Sequence, residues 1–312
     1  MEWNLRKLGL NKKSKILNLT HAFCTDGTSC SIVIENCFIN STIQQVKYTE
    51  IDDVLENLHK SNFQDYDFVF ITDISPKDET WLESNKIVLI DHHQTAIKFH
   101  NPAKNRYVVS EIACGALLVK KFLEKYFAER LKHLDDLIYL VNDYDLWHKK
   151  NDKSTFINEL HFFYWGEKFR QRFYNGDTRL NKTEINYLRK RKKDFTKVWE
   201  DLEIADYGNY KNLKVCFLRS KGEFLNEIAE KILKEEGYDI TFILNPIKNS
   251  VSVRSKMEDV NLGEVLKMVN GGGHNLAAAF SSKPEEIYKN IETVCEYIDK
   301  SLNAKKKLKN EK

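Results

Sequence analysis

Short apolar runs alternate with helical stripes through the first half of the chain. Lys15–His21 (KILNLTH), Gln45–Thr49, Asp67–Ile74 (DFVFITDI) and Lys86–Ile90 (KIVLI) read as strands. The last two are apolar almost throughout, the pattern of parallel strands buried on both faces. Thr28–Phe38, Ile51–Lys60, a segment near Glu111–Tyr126 and another near Leu131–Asn142 read as helices, the first opened by the turn and cap signal of DGTS. This alternation predicts an α/β fold with a doubly wound, mostly parallel sheet. Ligands of such sheets bind beyond the carboxyl ends of the strands. The rule places His21, Asp26, Asp73, Asp91 and His92 along one edge.

The pattern changes after residue 150. Residues 151–212 are polar, basic and dotted with aromatics, with one clear helical stripe in Thr183–Leu202, and they read as a helical linker. From 213 a smaller α/β unit begins. Leu213–Leu218, Ile240–Leu244 and the alternating Ser250–Arg254 read as strands, and Phe224, Leu225, Ile228, Ala229, Ile232 and Leu233 form an amphipathic stripe. The predicted organisation is residues 1–150, a linker over 151–212, a second domain over 213–303, and a basic, solvated tail over 304–312.

Composition narrows the classes. The 312 residues are 42% hydrophobic and 30% charged, with a formal net charge of only +3, so any grip on phosphate comes from local clusters. No window offers about 18 uninterrupted apolar residues, so no membrane span is expected. The start carries no apolar run behind its charges, and none of the six cysteines forms a CxxC pair. Both features read as a cytoplasmic protein with reduced thiols.

Five clusters could carry chemistry. His21-Ala-Phe-Cys24-Thr-Asp26 puts an imidazole, a thiol and a carboxylate just after a strand, a donor set that suits Mn, Fe or Zn. Asp73 ends an apolar strand, where an unpaired buried carboxylate would be costly; a turn or cap role is the plainer reading. Asp91-His92-His93 follows KIVLI, and three adjacent titratable groups there fit metal binding or acid–base work. Asp143 and Asp145 precede Trp147 and fit a metal edge or a helix end. Gly271-Gly272-Gly273-His274 reads as glycines opening a helix whose N–H groups approach an anion, with Arg254 on the preceding strand as a partner for phosphate. The aromatic and basic residues of 161–195, including Phe162, Phe163, Tyr164, Trp165, Phe169, Arg170, Arg172 and Phe173, fit either a solvated helix face or a platform for nucleic acid.

Taken in order, these clusters resemble the DHH phosphoesterase superfamily with its DHHA1 carboxyl domain, over about residues 15–147 and 213–282. The resemblance implies two divalent metals, commonly Mn2+, with Fe, Zn or Mg as alternatives. One would be held by His21, Cys24 and Asp73, the other by Asp26, Asp73, His92 and Asp145 or Asp143, with Asp145 favoured. Asp91 would orient His92, and His93 would meet the substrate phosphate or hold the site's hydrogen bonds. Asp73, His92 and His93 would carry catalysis; Arg254 and Gly271–His274 would hold the substrate. Many relatives have Asp where this chain has Cys24, which leaves the second metal better supported than the first. The implied activity is hydrolysis of short oligoribonucleotides or small, including cyclic, nucleotides by a metal-activated water. Alternatives are a RecJ-type exonuclease on single-stranded DNA, a polyphosphate or pyrophosphate phosphohydrolase, and a non-catalytic nucleotide binder. The implied partner is a short RNA or small nucleotide, with no membrane, and a homodimer is allowed.

Overall fold

The computed structural model describes residues 8–110, 112–202, 204–220 and 224–310, the side chains of 204–209 and 304–310 excepted. The predicted helix start at Glu111, the extreme amino terminus and the side chains of the basic tail lie outside the described residues. The chain divides into two compact units, one ending at Leu188 and one beginning at Arg189.

The first unit is built on five parallel strands: β1 (Lys15–His21), β2 (Asn40–Val46), β3 (Phe68–Thr72), β4 (Ile87–Asp91) and β5 (Arg106–Val108), in the order β2-β1-β3-β4-β5. Their period-two alternation feeds two cores. Ile16, Phe70, Val88 and Ile90 face one side with α1 (Thr25–Cys37), α3 (Gly115–Leu131) and α4 (Asp135–Asp145). Leu17, Leu19, Val69, Ile71, Ile87 and Leu89 face the other with α2 (Ile51–Lys60). Each of these buried side chains contributes about 1.5–3 kcal/mol, so a one-residue slip in any central strand would forfeit both cores at once. The order reverses between β1 and β3, the crevice where such sheets bind ligands.

Several local readings move. The second strand is Asn40–Val46 rather than Gln45–Thr49. The first helix starts at Thr25, three residues before the predicted Thr28, because the sulfur of Cys24 caps it by accepting the Gly27 N–H at 3.1 Å. The segment after 150 holds three helices where one was expected: α5 (Asp152–Tyr164), α6 (Gly166–Phe173) and α7 (Lys182–Glu200). Ile157, Leu160, Phe169 and Phe173 from α5 and α6 are fully buried in the α1-side core. Aromatic residues that looked like a surface scatter are therefore partly core.

The second unit holds a mixed sheet, β10-β11-β9-β8-β7-β6, made of β6 (Ile204–Tyr210), β7 (Leu213–Arg219), β8 (Ile240–Asn245), β9 (Ser250–Ser255), β10 (Gly272–Gly273) and β11 (Ala277–Ser281). Only β7 and β8 run parallel. Cys216, Leu218 and Ile243 pack with α8 (Leu225–Lys234). Val215, Phe217, Phe242, Val251 and Val253 pack on the opposite face with α9 (Leu262–Val265) and α10 (Ile287–Asn310). Among the described residues no helix is long and apolar enough to cross a membrane.

Candidate metal centre

The carboxyl ends of β1, β3 and β4, three neighbours in the sheet, deliver His21, Asp73 and the Asp91-His92-His93 turn to one place. Asp73 follows the last residue of β3 with φ 57°, a left-handed conformation that Asp tolerates better than most residues. Its two oxygens face different groups. Oδ2 accepts from the Cys24 thiol at 3.0 Å and lies 3.6 Å from His21 Nδ1. Oδ1 lies 3.0 Å from His92 Nε2, which is also 3.5 Å from Asp26 Oδ2 and 3.6 Å from Asp145 Oδ2. Potential ligand atoms of His21, Cys24 and Asp73 lie within 4.8 Å of one another, as do those of Asp26, His92 and Asp145.

Two glycines make room for this convergence. A Cβ at Gly27 would stand 2.3 Å from the His21 carbonyl oxygen and 3.1 Å from Asp73 Oδ2. A Cβ at Gly115 would stand 2.9 Å from both Asp26 Oδ2 and Asp73 Cβ. Gly115 opens α3, and its N–H and that of Ala116 donate to Asp26 at 2.6 and 2.8 Å. The carboxylate thus sits at the positive end of a 17-residue helix.

Three carboxylates facing one imidazole are short of positive charge. Burial pushes the Asp26 carboxyl well up, and the charges of Asp73 and Asp145 add to it. Burial likewise raises Asp145, with Asp73 adding and His92 opposing. Burial also opposes ionisation of Asp73, but His21 and His92 beside it win and hold it well below the usual carboxylate range. Burial raises the Cys24 thiol well above its ordinary value, with Asp73 and Asp26 contributing. Asp145 Oδ2 is buried with no hydrogen-bond donor among the described residues. The donor set therefore fits a divalent cation, whose charge would reverse these penalties. Residues His21, Cys24 and Asp73 could hold one ion, and Asp26, Asp73, His92 and Asp145 another.

Asp143 stands apart. Its carboxylate accepts the N–H groups of Lys150 at 3.0 Å and Asn151 at 3.1 Å, so it folds the turn after α4. Asp91 acts differently from the sequence expectation. It takes the backbone N–H of His92 at 2.7 Å and holds the ring of His93, not that of His92, through Nδ1 at 2.8 Å. Burial works against charge on His93, but Asp91 foremost lifts it to about 9.

Three supports of the site were not expected from the sequence. Ser75 donates to Asp91 at 2.5 Å. The Tyr48 hydroxyl lies 2.9 Å from His93 Nε2, and its ring lies 4.6 Å from that of His21. Gly115 is the third. Ser75 had a signal, a hydroxyl two residues past a strand-end Asp; Tyr48 and Gly115 had none, because they arrive from other elements.

In the second unit, the Gly271–His274 run does not open a helix. Gly272 and Gly273 pair antiparallel with Ala279 and Ala278, and the expected helix is strand β11. Close approach explains the glycines: a Cβ at Gly273 would meet Ala278 Cα at 2.5 Å, and one at Gly271 would meet the Ala279 oxygen at 2.6 Å. The N–H groups of Gly271 and His274 already donate to Leu266 and Ala277 carbonyls at 2.8 Å. Arg254 also meets this hairpin, donating from Nη1 to the Ala278 carbonyl at 3.3 Å and from Nη2 to Asn226 Oδ1 at 2.9 Å.

Residues 212–300 match the DHHA1 domain family. A curated relative, the uncharacterized protein MJ1633 of Methanocaldococcus jannaschii, is 22% identical over 260 residues, covering 80% of this chain and 52% of that protein. The chain thus spans about half the length of that relative. Among solved structures, the pGpG-specific phosphodiesterase PggH of Vibrio cholerae aligns with a TM-score of 0.53 at 14% identity, covering 93% of this chain and 100% of that one. An exopolyphosphatase-related protein of Bacteroides fragilis gives 0.53 at 14%, covering 93% of each. RecJ of Thermus thermophilus in complex with Mn2+ gives 0.56 at 14%, covering 94% of this chain and 53% of that one.

Proposed function

From a chain that carries a DHHA1 domain and whose structural neighbours are DHH-family phosphoesterases, we propose a metal-dependent phosphodiesterase acting on short oligoribonucleotides or small, including cyclic, nucleotides. The observation that carries this reading is the position of Asp73. One of its oxygens faces His21 and Cys24 and the other faces His92, so a single carboxylate joins two ligand sets. Divalent ions held there would supply Lewis-acid charge and a water acidic enough to lose its proton near neutral pH.

The chain's own residues do the rest. Asp26, Asp73 and Asp145 would hold the cations, and the α3 amino terminus fixes Asp26 in place. Asp91 and Tyr48 clamp His93 from both ring nitrogens. His93 held this way would stabilise charge developing on a phosphoryl oxygen. In the second unit, Gly271–His274 and Arg254 are the proposed substrate-binding residues. Small-nucleotide hydrolysis is also what PggH is named for, and that likeness supports the substrate class.

The test is cleavage in Mn2+ of a panel: an RNA dimer and pentamer, a long single-stranded DNA, a cyclic dinucleotide and pyrophosphate. An Asp73→Ala control runs beside it. Turnover of the dimer or the cyclic dinucleotide, lost in the control, supports the proposal. Degradation of long DNA alone would replace it with a RecJ-type activity, and turnover of nothing by a folded, metal-supplied protein would leave a nucleotide binder.

A further inference from the structure

Two large aromatic residues of the first unit hold backbone conformations that bulky side chains seldom adopt, and they touch each other. Phe23 has φ 63°; Trp165, at the corner between α5 and α6, has φ 52° and ψ 140°. Such outliers persist only where the surrounding structure imposes them. Neither residue hides its ring in exchange: Phe23 is 58% exposed and Trp165 49%. Their centroids lie 6.1 Å apart, edge to face, and Phe162, 42% exposed, lies 5.7 Å from Trp165. Burial of apolar area therefore does not account for three clustered rings.

The support beneath them is specific. Trp165 donates its N–H to the His161 carbonyl at 2.9 Å. The buried His161 ring bonds Thr28 Oγ1 at 2.9 Å, and Gln45 donates to the same hydroxyl at 2.9 Å. Arg170 and Arg172 pair instead with Glu35 and Glu184, and Phe169 and Phe173 are core. Of the aromatic and basic stretch noted in the sequence, Phe162, Trp165 and Tyr174 are the large hydrophobic residues that stay exposed, and the Tyr174 hydroxyl donates to the Glu35 carbonyl at 3.4 Å. Phe23 joins Phe162 and Trp165 from the turn that carries His21 and Cys24.

We propose that Phe23, Trp165 and Phe162 form a stacking platform for a nucleobase of the nucleotide whose phosphate lies at the Asp73 cluster. This inference rests on the phosphodiesterase reading. Phe23 is one residue from Cys24 and two from His21, so the platform adjoins the proposed metal ligands in the turn after β1. Every nucleobase offers a π face, so such a platform favours nucleotides over pyrophosphate or polyphosphate without selecting a sequence. Lys47, whose Nζ lies 5.8 Å from the Phe23 ring centroid, adds positive charge beside it while also pairing with Glu50.

The test measures binding apart from turnover. An RNA dinucleotide with a non-hydrolysable methylene-phosphonate linkage and one 2-aminopurine base is titrated with the Mn2+-loaded protein, and an abasic dimer of the same linkage competes with it. Stacking quenches the fluorophore, and Trp165→Ala weakens base-bearing binding roughly 5- to 150-fold. Its effect on the abasic dimer is far smaller. Trp165→Tyr keeps most of the quenching, and Phe162→Ala loses part of it, which guards against misfolding of a single variant. Equal affinity of base-bearing and abasic dimers for the unaltered protein, or an unchanged Kd in Trp165→Ala, overturns the platform. Cleavage of a natural dimer without base-dependent binding sinks the platform alone; base-dependent binding without cleavage sustains it and sinks the phosphodiesterase reading.

Discussion

His92 Nε2 stands 3.0 Å from Asp73 Oδ1, on the side of that carboxylate opposite Cys24. Asp26 and Asp145 close on the same imidazole nitrogen. Without a cation, mutual repulsion and burial strain this cluster. Mn2+ should therefore raise the melting temperature, by an equivalent of about 2.7 kcal/mol at a hundredfold excess over Kd. Asp73→Asn should abolish that rise. Asp145→Asn should melt higher than the unaltered protein in EDTA and gain less from Mn2+. Melting curves with and without chelator check all three; a Mn2+ response intact in Asp73→Asn would refute the assignment.

Cys24 brings sulfur to the Asp73 Oδ2 side. Thiolate softens a site toward Fe and Zn relative to Mn or Mg. Loading the protein with Co2+ should produce thiolate-to-cobalt charge-transfer absorption in the near ultraviolet, absent in Cys24→Ser. Cys24→Asp should shift metal preference toward Mn2+ at the cost of the sulfur cap on α1. The absence of that absorption in the cobalt-loaded protein would show that Cys24 caps the helix without binding metal.

Gly115 sits where helix propensity and site geometry disagree. Alanine is favoured over glycine in a helix by about 1 kcal/mol, yet its Cβ would stand 2.9 Å from Asp26 Oδ2 and Asp73 Cβ. Displacement of either carboxylate should win for function. Gly115→Ala should keep its circular dichroism and lose about a hundredfold in kcat/KM, the scale of a 1 Å misplacement. Near-normal kcat/KM would show that the cluster can shift to accept the methyl group.

The strand-borne part of this site was legible because it follows a local rule: apolar runs ending in His21, Asp73 and Asp91 deliver polar residues to one sheet edge. Asp145 was favoured over Asp143 through the resemblance alone, since both sit at the end of one helix; in three dimensions Asp145 faces His92 while Asp143 bonds the turn after it. Gly271–His274 was misread because glycines that permit close strand approach and glycines that open a helix look alike in sequence. The α5–α6 segment was misread for a different reason. Its polar and aromatic residues alternate between core and surface, so Phe169 and Trp165 look equivalent until α1 packs beneath them.

His161 gives the fold an acid limit distinct from the carboxylate cluster. Burial depresses its pKa from 6.5 to about 4. One ring nitrogen meets Thr28, while Nδ1 has no hydrogen-bond partner among the described residues, so a second proton has nowhere to be received. The unfolded chain protonates this group below pH 6.5 and the folded chain resists until about pH 4. The unfolded state therefore binds more protons across that window, and stability falls as pH drops through it. The full loss corresponds to about 3 kcal/mol, present above pH 6.5 and gone by pH 4. His161→Gln keeps a donor for Thr28 and has no proton to gain. Urea midpoints measured from pH 7.5 to 4 should fall less steeply in that variant than in the unaltered protein; parallel slopes would mean that the imidazole reaches water when it protonates.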